Sequence, residues 1–268
     1  MMKTIAVASC KGGCGKTTTA LNLAACYGWE GHPVLLLDLD PQGHATLGTA
    51  LDCRDDPGLY EVFARRMDLE DVVIPDVVAG IDLVPATRTL GQAEALLADW
   101  PREKELALRL GPLAGAYRYA VLDCPPSLGL LTTNALLAAD LVLIPVEMSL
   151  FGLDSVERLL AHVARLEAKY ETAIPFRVLP TMVDQRTRLA RAFLRELWGR
   201  YPEQVLPVLV HHTVRLREAT CRGLPIIDYD AESAAAHDYR QLARLLAAEP
   251  APRAAAELPA HEPEAVPA

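Results

Sequence analysis

The stretch "SCKGGCGKTTTALNLA", Ser9 to Ala24, gathers residue types that act together on phosphates. Gly12, Gly13 and Gly15 leave backbone N–H groups free to converge on anionic oxygens, at a point where a helix N-terminus already favours negative charge. Lys16 follows to neutralise the β- and γ-phosphates, and Thr17 offers a hydroxyl to Mg²⁺. Gly15, Lys16 and Thr17 satisfy the second half of the phosphate-loop pattern G-x-x-x-x-G-K-[ST]. The first glycine of that pattern falls at position 10, which is Cys10, and beside it stands a second lysine, Lys11. Cys14, inside the loop, is either a small residue fitted to a tight turn or a redox-sensitive thiol.

A magnesium-bound polyphosphate also needs a carboxylate. "YAVLDCPPS" supplies Asp123 at the carboxyl end of an apolar run, the end at which open α/β sheets bind ligands. "VLLLDLDPQGHAT" supplies Asp38 and Asp40 at another. On an ideal strand these two share a face, although the approach of Pro41 works against that geometry. Asp40 is open to a second reading as a turn or capping residue.

Such groups must be held by strands that end at a common edge. Apolar, β-branched or leucine-rich runs predict strands over 4–9, 33–39, 81–86, 119–124, 141–146 and 176–182, with a further candidate at 204–209. Helical patterns fall at 16–29, about 88–98, 102–111, 128–138, 152–169, 187–200 and 232–247. Strand and helix alternate, and the strands are almost wholly apolar, as in a mostly parallel sheet with helices on both faces. The expected fold class is α/β, a P-loop nucleotide-binding domain over residues 1–249. Beyond Glu249 the Pro- and Ala-rich, weakly acidic tail 250–268 is expected to be disordered.

Composition narrows the class further. Of 268 residues, 51% are hydrophobic and 23% charged, the balance of a globular chain large enough for one substantial core. No apolar run reaches the ~18–20 residues of a membrane span, and the N-terminus runs straight into a strand pattern without a cleavage signal. A cytoplasmic protein is expected. The six cysteines include no C-x-x-C pair, which speaks against a zinc or iron–sulfur centre and for reduced thiols. A net charge of −9 argues mildly against nucleic acid. Yet segment 186–222 holds eight arginines against three glutamates, a local basic face on an acidic chain.

"KGGCGKTT", "LLLDLDPQGHAT" and "YAVLDCPPSLGLLTTNALLAAD" together resemble the ParA/MinD family of deviant-Walker-A ATPases, and within it the ParA/Soj branch. The likeness continues through "LIPVEMSLFGLDSVERLL", "LPTMVDQRT" and "VRLREATCRGLPIIDYD" and so spans residues 3–247. The resemblance implies slow, Mg²⁺-dependent ATP hydrolysis within a nucleotide-sandwich homodimer. It implies that Lys11 reaches across the dimer to the partner's phosphates, much as an arginine finger does. Cys10 in place of glycine then fits a loop that displays Lys11 outward. By the same likeness Asp40 orients the attacking water, Asp38 is a catalytic-site carboxylate, and Asp123 with Thr17 holds the metal. Gly12, Gly13, Cys14, Gly15, Lys16, Thr17 and Thr18 cradle the nucleotide, and Met182 and Asp184 line the adenine pocket.

The resemblance further implies ATP-dependent, non-specific binding of duplex DNA through basic side chains. The matching positions are Arg215 and Arg217, then Arg188, Arg191 and Arg222. Close relatives often read "PRNVRLSEAPSHG" where this chain has "HHTVRLREATCRG", so His211, His212 and Thr213 replace Pro-Arg-Asn. The same arginines could instead pair with Glu218, Glu196 or Glu203 on a solvated face. A partner protein on the cargo would stimulate hydrolysis, and the cargo would be a chromosome, a plasmid or a protein assembly. The tail has five prolines and no aromatic residue, which excludes an amphipathic membrane helix there. The alternative is a metabolic P-loop enzyme of the same fold that uses ATP on a small molecule.

Overall fold

Wholly apolar runs bury both faces of a strand, so the segments that begin with "TIAV" and "VLLLD" can lie only inside a helix-covered sheet. In the computed structural model, which describes residues 2–53, 55–64, 66–78, 80–93 and 103–249, they do so. The strands are β1 (Lys3–Val7), β2 (Val34–Asp38), β3 (Ile74–Val78), β4 (Ile81–Val84), β5 (Tyr119–Asp123), β6 (Leu141–Glu147) and β7 (Phe176–Thr181). They form one sheet in the order β3-β4-β2-β5-β1-β6-β7. Among the described residues only the β3–β4 pair is antiparallel. β1 thus lies between β5 and β6, where the chain switches sides, and its carboxyl end opens into the crevice where ligands bind such sheets.

The helices among the described residues are α1 (Lys16–Trp29), α2 (His44–Leu47), α3 (Leu59–Phe63), α4 (Glu105–Leu110), α5 (Leu130–Ala138), α6 (Leu150–Tyr170), α7 (Arg188–Arg200), α8 (Val214–Cys221), α9 (Ile226–Tyr229) and α10 (Ala234–Ala248). Two apolar layers sandwich the sheet. One packs Leu35, Leu37 and Leu122 against α5 and α6, and the other packs Ile5, Leu36 and Val121 against α1 and α10. Each buried leucine contributes roughly 1.5–3 kcal/mol. The layers are stitched by polar contacts. Lys3 donates from Nζ to the Leu246 carbonyl at 2.6 Å, placing a cation on the last turn of α10. The hydroxyls of Thr19 and Tyr239, 3.3 Å apart, join α1 to α10.

Several elements differ from the sequence expectations. β3 was not expected, because Pro75 and the positive φ of Asp76 interrupt its pattern; it survives as an antiparallel edge, the place where proline is tolerated. The candidate strand at 204–209 is a strap that touches the sheet through isolated bridges, Val178 to Val205 and Val183 to His211. Pro207, lacking an N–H, prevents a continuous ladder there. α8 is not among the expected helices, yet Thr213 caps it by accepting from the Arg215 N–H at 3.2 Å. The helix expected at about 88–98 begins as a 3₁₀ turn, Leu90–Gln92, and its remainder lies outside the described residues, as does the tail 250–268.

The start of α6 is pressed against the end of β6. Ser149 caps α6 by accepting from the Gly152 N–H at 3.1 Å, and a Cβ at Gly152 would lie 2.2 Å from the Glu147 carbonyl oxygen. Gly152→Ala should therefore destabilise the fold by about 2 kcal/mol and lower Tm by roughly 4–8 °C. An unchanged melting curve would show that α6 does not need this close approach.

Candidate nucleotide site

The loop between β1 and α1 turns through two left-handed residues, Gly13 at φ 75° and Gly15 at φ 91°, a conformation that other residues adopt only with strain. A Cβ at Gly12 or Gly13 would meet nothing within 4 Å, so this stretch of backbone lies bare toward solvent, as a phosphate cradle requires. The loop is braced from within. Lys16 Nζ donates to the Lys11 carbonyl at 2.9 Å, and the Cys14 thiol donates to the same oxygen at 3.3 Å. From β7, Thr181 Oγ1 donates to the Cys14 carbonyl at 2.8 Å. Cys14 is buried, which favours the packing reading of that thiol over an accessible redox group.

The two lysines point to different places. Lys16 is buried within the loop. Lys11, expected to project outward, is instead folded back onto the end of β6, where Nζ pairs with Glu147 Oε1 and lies 3.4 Å from Ser149 Oγ. Its charge also sits 5.8 Å from the centre of the Phe151 ring. A lone ammonium at the loop mouth finds the nearest carboxylate, and that is the physical reason for the difference. Burial alone would raise the Glu147 carboxyl, but hydrogen bonds from Lys11 and Ser149 outweigh it and hold the group below the usual carboxylate range. Glu147 was missed by motif reading. Its one signal was its place at the carboxyl end of an apolar run.

Asp38 and Asp123 face each other across β2 and β5, in register and both completely buried. Asp38 is well satisfied. It accepts from the Thr46 N–H and hydroxyl, both at 2.8 Å, and from the Asp40 N–H at 3.2 Å. Burial nonetheless raises its carboxyl to about 6, with the Asp40 charge adding to the rise. Thr46, a second residue that motif reading missed, also accepts from the Ala86 N–H at 3.0 Å and so ties β2 to the end of β4. Asp123 is the opposite case. Neither of its carboxylate oxygens has a hydrogen-bond partner among the described residues. Burial, then the neighbouring Asp38 charge, pushes its carboxyl well above the ordinary range, while the nearby Thr17 hydroxyl and Lys16 work against the rise. An orphaned, shielded carboxylate beside a threonine hydroxyl is the donor set a hard cation such as Mg²⁺ prefers.

Asp40 lies beyond the end of β2, so the alternation expected of Asp38 and Asp40 stops before Pro41. Its carboxylate accepts from the Gln42 N–H at 3.0 Å, the turn role left open by the sequence. A cavity of about 420 Å³ opens beside the loop, bordered by Gly15, Thr18, Met182, His211, Arg217 and Tyr239. Met182 therefore borders this cavity. Asp184 is not among the lining residues. It forks with Arg186 at 2.8 Å through each carboxylate oxygen, which holds its carboxyl down at about 2.

The arginines proposed for DNA fall on two helices. Arg188 and Arg191 start α7, exposed, and Arg191 Nη1 donates to the Gln185 carbonyl at 2.8 Å. On α8, Arg215 pairs with Glu218 at 3.3 Å and lies 3.6 Å from Asp230. Arg222 lies 5.4 Å from the centre of the Tyr229 ring. Arg217 borders the cavity instead of standing clear of it.

A glycine loop closing the central strand of a parallel sheet, with carboxylates at the ends of neighbouring strands, defines a P-loop ATPase. Residues 2–176 match the family described as the AAA domain AAA_31. Sporulation initiation inhibitor protein Soj of Bacillus subtilis is 39% identical over 92% of this chain and 99% of its own length. Chromosome partitioning protein ParA of Myxococcus xanthus is 38% identical over 90% of this chain and 87% of its own. Cobyrinic acid a,c-diamide synthase from Mycobacterium smegmatis, solved with a bound ATP analog and magnesium, superposes with a TM-score of 0.79 at 31% identity, covering 92% of this chain and 95% of that one. The chain belongs to the AAA-domain P-loop ATPases, and among them to the ParA/MinD family in its ParA/Soj branch. Its cofactors are ATP and Mg²⁺.

Asp123→Asn removes a buried charge that the nearby Thr17 hydroxyl and Lys16 offset only in part. The nucleotide-free variant should melt above the wild type at pH 8, while the added stability conferred by Mg²⁺-ATP shrinks. Because the folded carboxyl titrates above its unfolded value, ionisation costs stability as pH rises from the ordinary carboxylate range toward the raised one. The Tm advantage of the variant should therefore widen between pH 5 and pH 8, as followed by calorimetry. A constant difference would place Asp123 in a solvated environment.

Proposed function

We propose that this ATPase works as a ParA-like switch. ATP closes two copies into a sandwich dimer, the dimer binds duplex DNA without sequence preference, and a cargo-bound partner stimulates hydrolysis to release it. Cycling of this kind on the nucleoid of a cytoplasm would segregate a chromosome or plasmid, or position a protein assembly. The observation that carries the reading is the division of labour between the two loop lysines. Lys16 faces the chain's own cradle, whereas Lys11 turns away from it and rests on a surface carboxylate. A cation that its own loop does not use is available to a second copy. The apolar side chains beside it, Leu150 at 69% and Phe151 at 72% exposed, offer that copy a surface to cover.

In this scheme Lys11 exchanges Glu147 for phosphate when the copies meet. Thr17 and Asp123 would hold Mg²⁺, which supplies charge neutralisation at the phosphates. Asp40 would release its turn contact to orient water. Arg188, Arg191, Arg215, Arg217 and Arg222 would meet DNA phosphates, with Arg215 giving up Glu218 and Asp230 to do so. The contacts within the chain are surface ion pairs of small worth, so the exchange is inexpensive.

Lys11→Ala should abolish ATP-dependent dimerisation in analytical ultracentrifugation. Glu147→Gln, which loosens the resting contact of Lys11, should bring dimerisation to a several-fold lower ATP concentration. Normal dimerisation of Lys11→Ala would overturn the role in trans.

DNA binding is checked on non-specific duplex without nucleotide, with ADP and with ATP across a salt series. Binding should require ATP and persist longer in Asp40→Ala. It should weaken in Arg188→Ala/Arg215→Ala, with the log–log salt slope reduced by about two. Arg217 is left intact in that variant because it borders the nucleotide cavity. A second reading, an ATP-dependent enzyme acting on a small molecule, is favoured by the likeness to the Mycobacterium smegmatis synthase. Dimerisation with ATP but no DNA binding under any condition would select it.

A further inference from the structure

The cavity beside the phosphate loop is bordered by a histidine whose orientation is unusually constrained. His211 follows Val210 on the strap, which is fixed to the end of β7 and to Val183 beyond it. The Val210 N–H donates to the Pro180 carbonyl at 2.9 Å, the Val183 N–H to the Val210 carbonyl at 3.1 Å, and the His212 N–H to the Val183 carbonyl at 3.2 Å. Both the N–H and the ring Nδ1 of His211 meet one oxygen, Asp238 Oδ2, at 3.0 and 2.9 Å. Asp238 is buried on α10, next to the Tyr239 that links this helix to α1. A carboxylate only accepts, so Nδ1 must carry the proton, and in the neutral ring Nε2 is left as an acceptor. Nε2 has no hydrogen-bond partner among the described residues, and the ring borders the cavity.

We propose that His211, held in one tautomer by Asp238, reads the base of the bound nucleotide by accepting a hydrogen bond from the adenine 6-amino group. The inference rests on the assignment of the cavity to the base. Phosphates seated on the glycine loop direct the rest of the nucleotide past Gly15 and Thr18, and both residues border this cavity. Adenine presents an amino donor at its six-position, where guanine and hypoxanthine present a carbonyl acceptor. An acceptor on the wall therefore favours ATP and opposes GTP or ITP. Arg217, on the same wall, offers only donors and favours the carbonyl bases, so the sign of the preference separates the two residues. Asp238 is a positioning residue, because it acts only through the ring.

The test measures Kd for Mg²⁺-ATP and Mg²⁺-ITP, by displacement of a fluorescent nucleotide from the full chain. Wild type should prefer ATP. His211→Phe keeps a ring and removes the acceptor, so ATP should bind about five- to tenfold more weakly with ITP little changed. Asp238→Asn places an amide beside Nδ1, permits the other tautomer and should narrow the ATP-to-ITP ratio in the same direction. A merely structural role would weaken both nucleotides equally and leave the ratio unmoved. If His211→Phe melts early, Asp238→Asn supplies the ratio independently. An unchanged ratio in the folded variant overturns the proposal while the nucleotide site stands. Failure of the wild type to bind either nucleotide would instead overturn the site itself.

Discussion

At the carboxyl ends of two adjacent parallel strands, Asp38 and Asp123 are buried side by side, shut off from water, with a lysine-bearing loop above them. Two carboxylates in a low-dielectric interior repel one another, and burial penalises each charge separately. The protein resolves this asymmetrically. Asp38 receives three donors and becomes part of the framework, joining the end of β2 to α2, which carries Thr46. Asp123 receives none. The charge that remains would be relieved by a divalent cation from outside the chain. The central strands place the groups within reach, and the two apolar layers keep water from doing what the cation should do.

The loop above shows the same division. One lysine is an internal brace and the other is paired with Glu147. The storage site sits at the end of β6, directly before the capped start of α6, so the position of Lys11 is coupled to how that helix begins. On the opposite flank of the loop, Thr181 at the end of β7 grips the Cys14 carbonyl, and the chain continues from there into the wall of the cavity beside the loop. Two neighbouring strands thus control the two sides of one loop, β6 through a charge and β7 through a hydrogen bond.

Much of this was legible in the chain. The phosphate loop, the strand-end aspartates and the alternation of strands with helices all rest on local patterns, a glycine spacing or an apolar run, which survive in any tertiary setting. The edge strand β3 escaped because Pro75 and Asp76 argue locally against it. Its pairing with β4 comes from a turn that brings an unpaired edge within reach. α8 escaped because its eight residues mix arginine, threonine and cysteine without a clear apolar stripe. Its cap, Thr213, was the available signal.

The sequence by itself determined the fold class and the glycine loop and named the candidate groups for phosphate and metal, since these follow from residue type and short spacing. Only the tertiary structure decided which charges are satisfied. Glu147 lies 136 positions from Lys11, and Asp238 lies 27 positions from His211. No local pattern relates residues so separated. Sheet order and helix packing bring them together, and the energy of a charge or a hydrogen bond depends on the partner it finds and the water it loses. That is why the sequence could name Lys11, Asp38 and Asp123, while the fold distinguished a cation paired with Glu147, a buried carboxylate satisfied by hydrogen bonds and one left without a hydrogen-bond partner among the described residues.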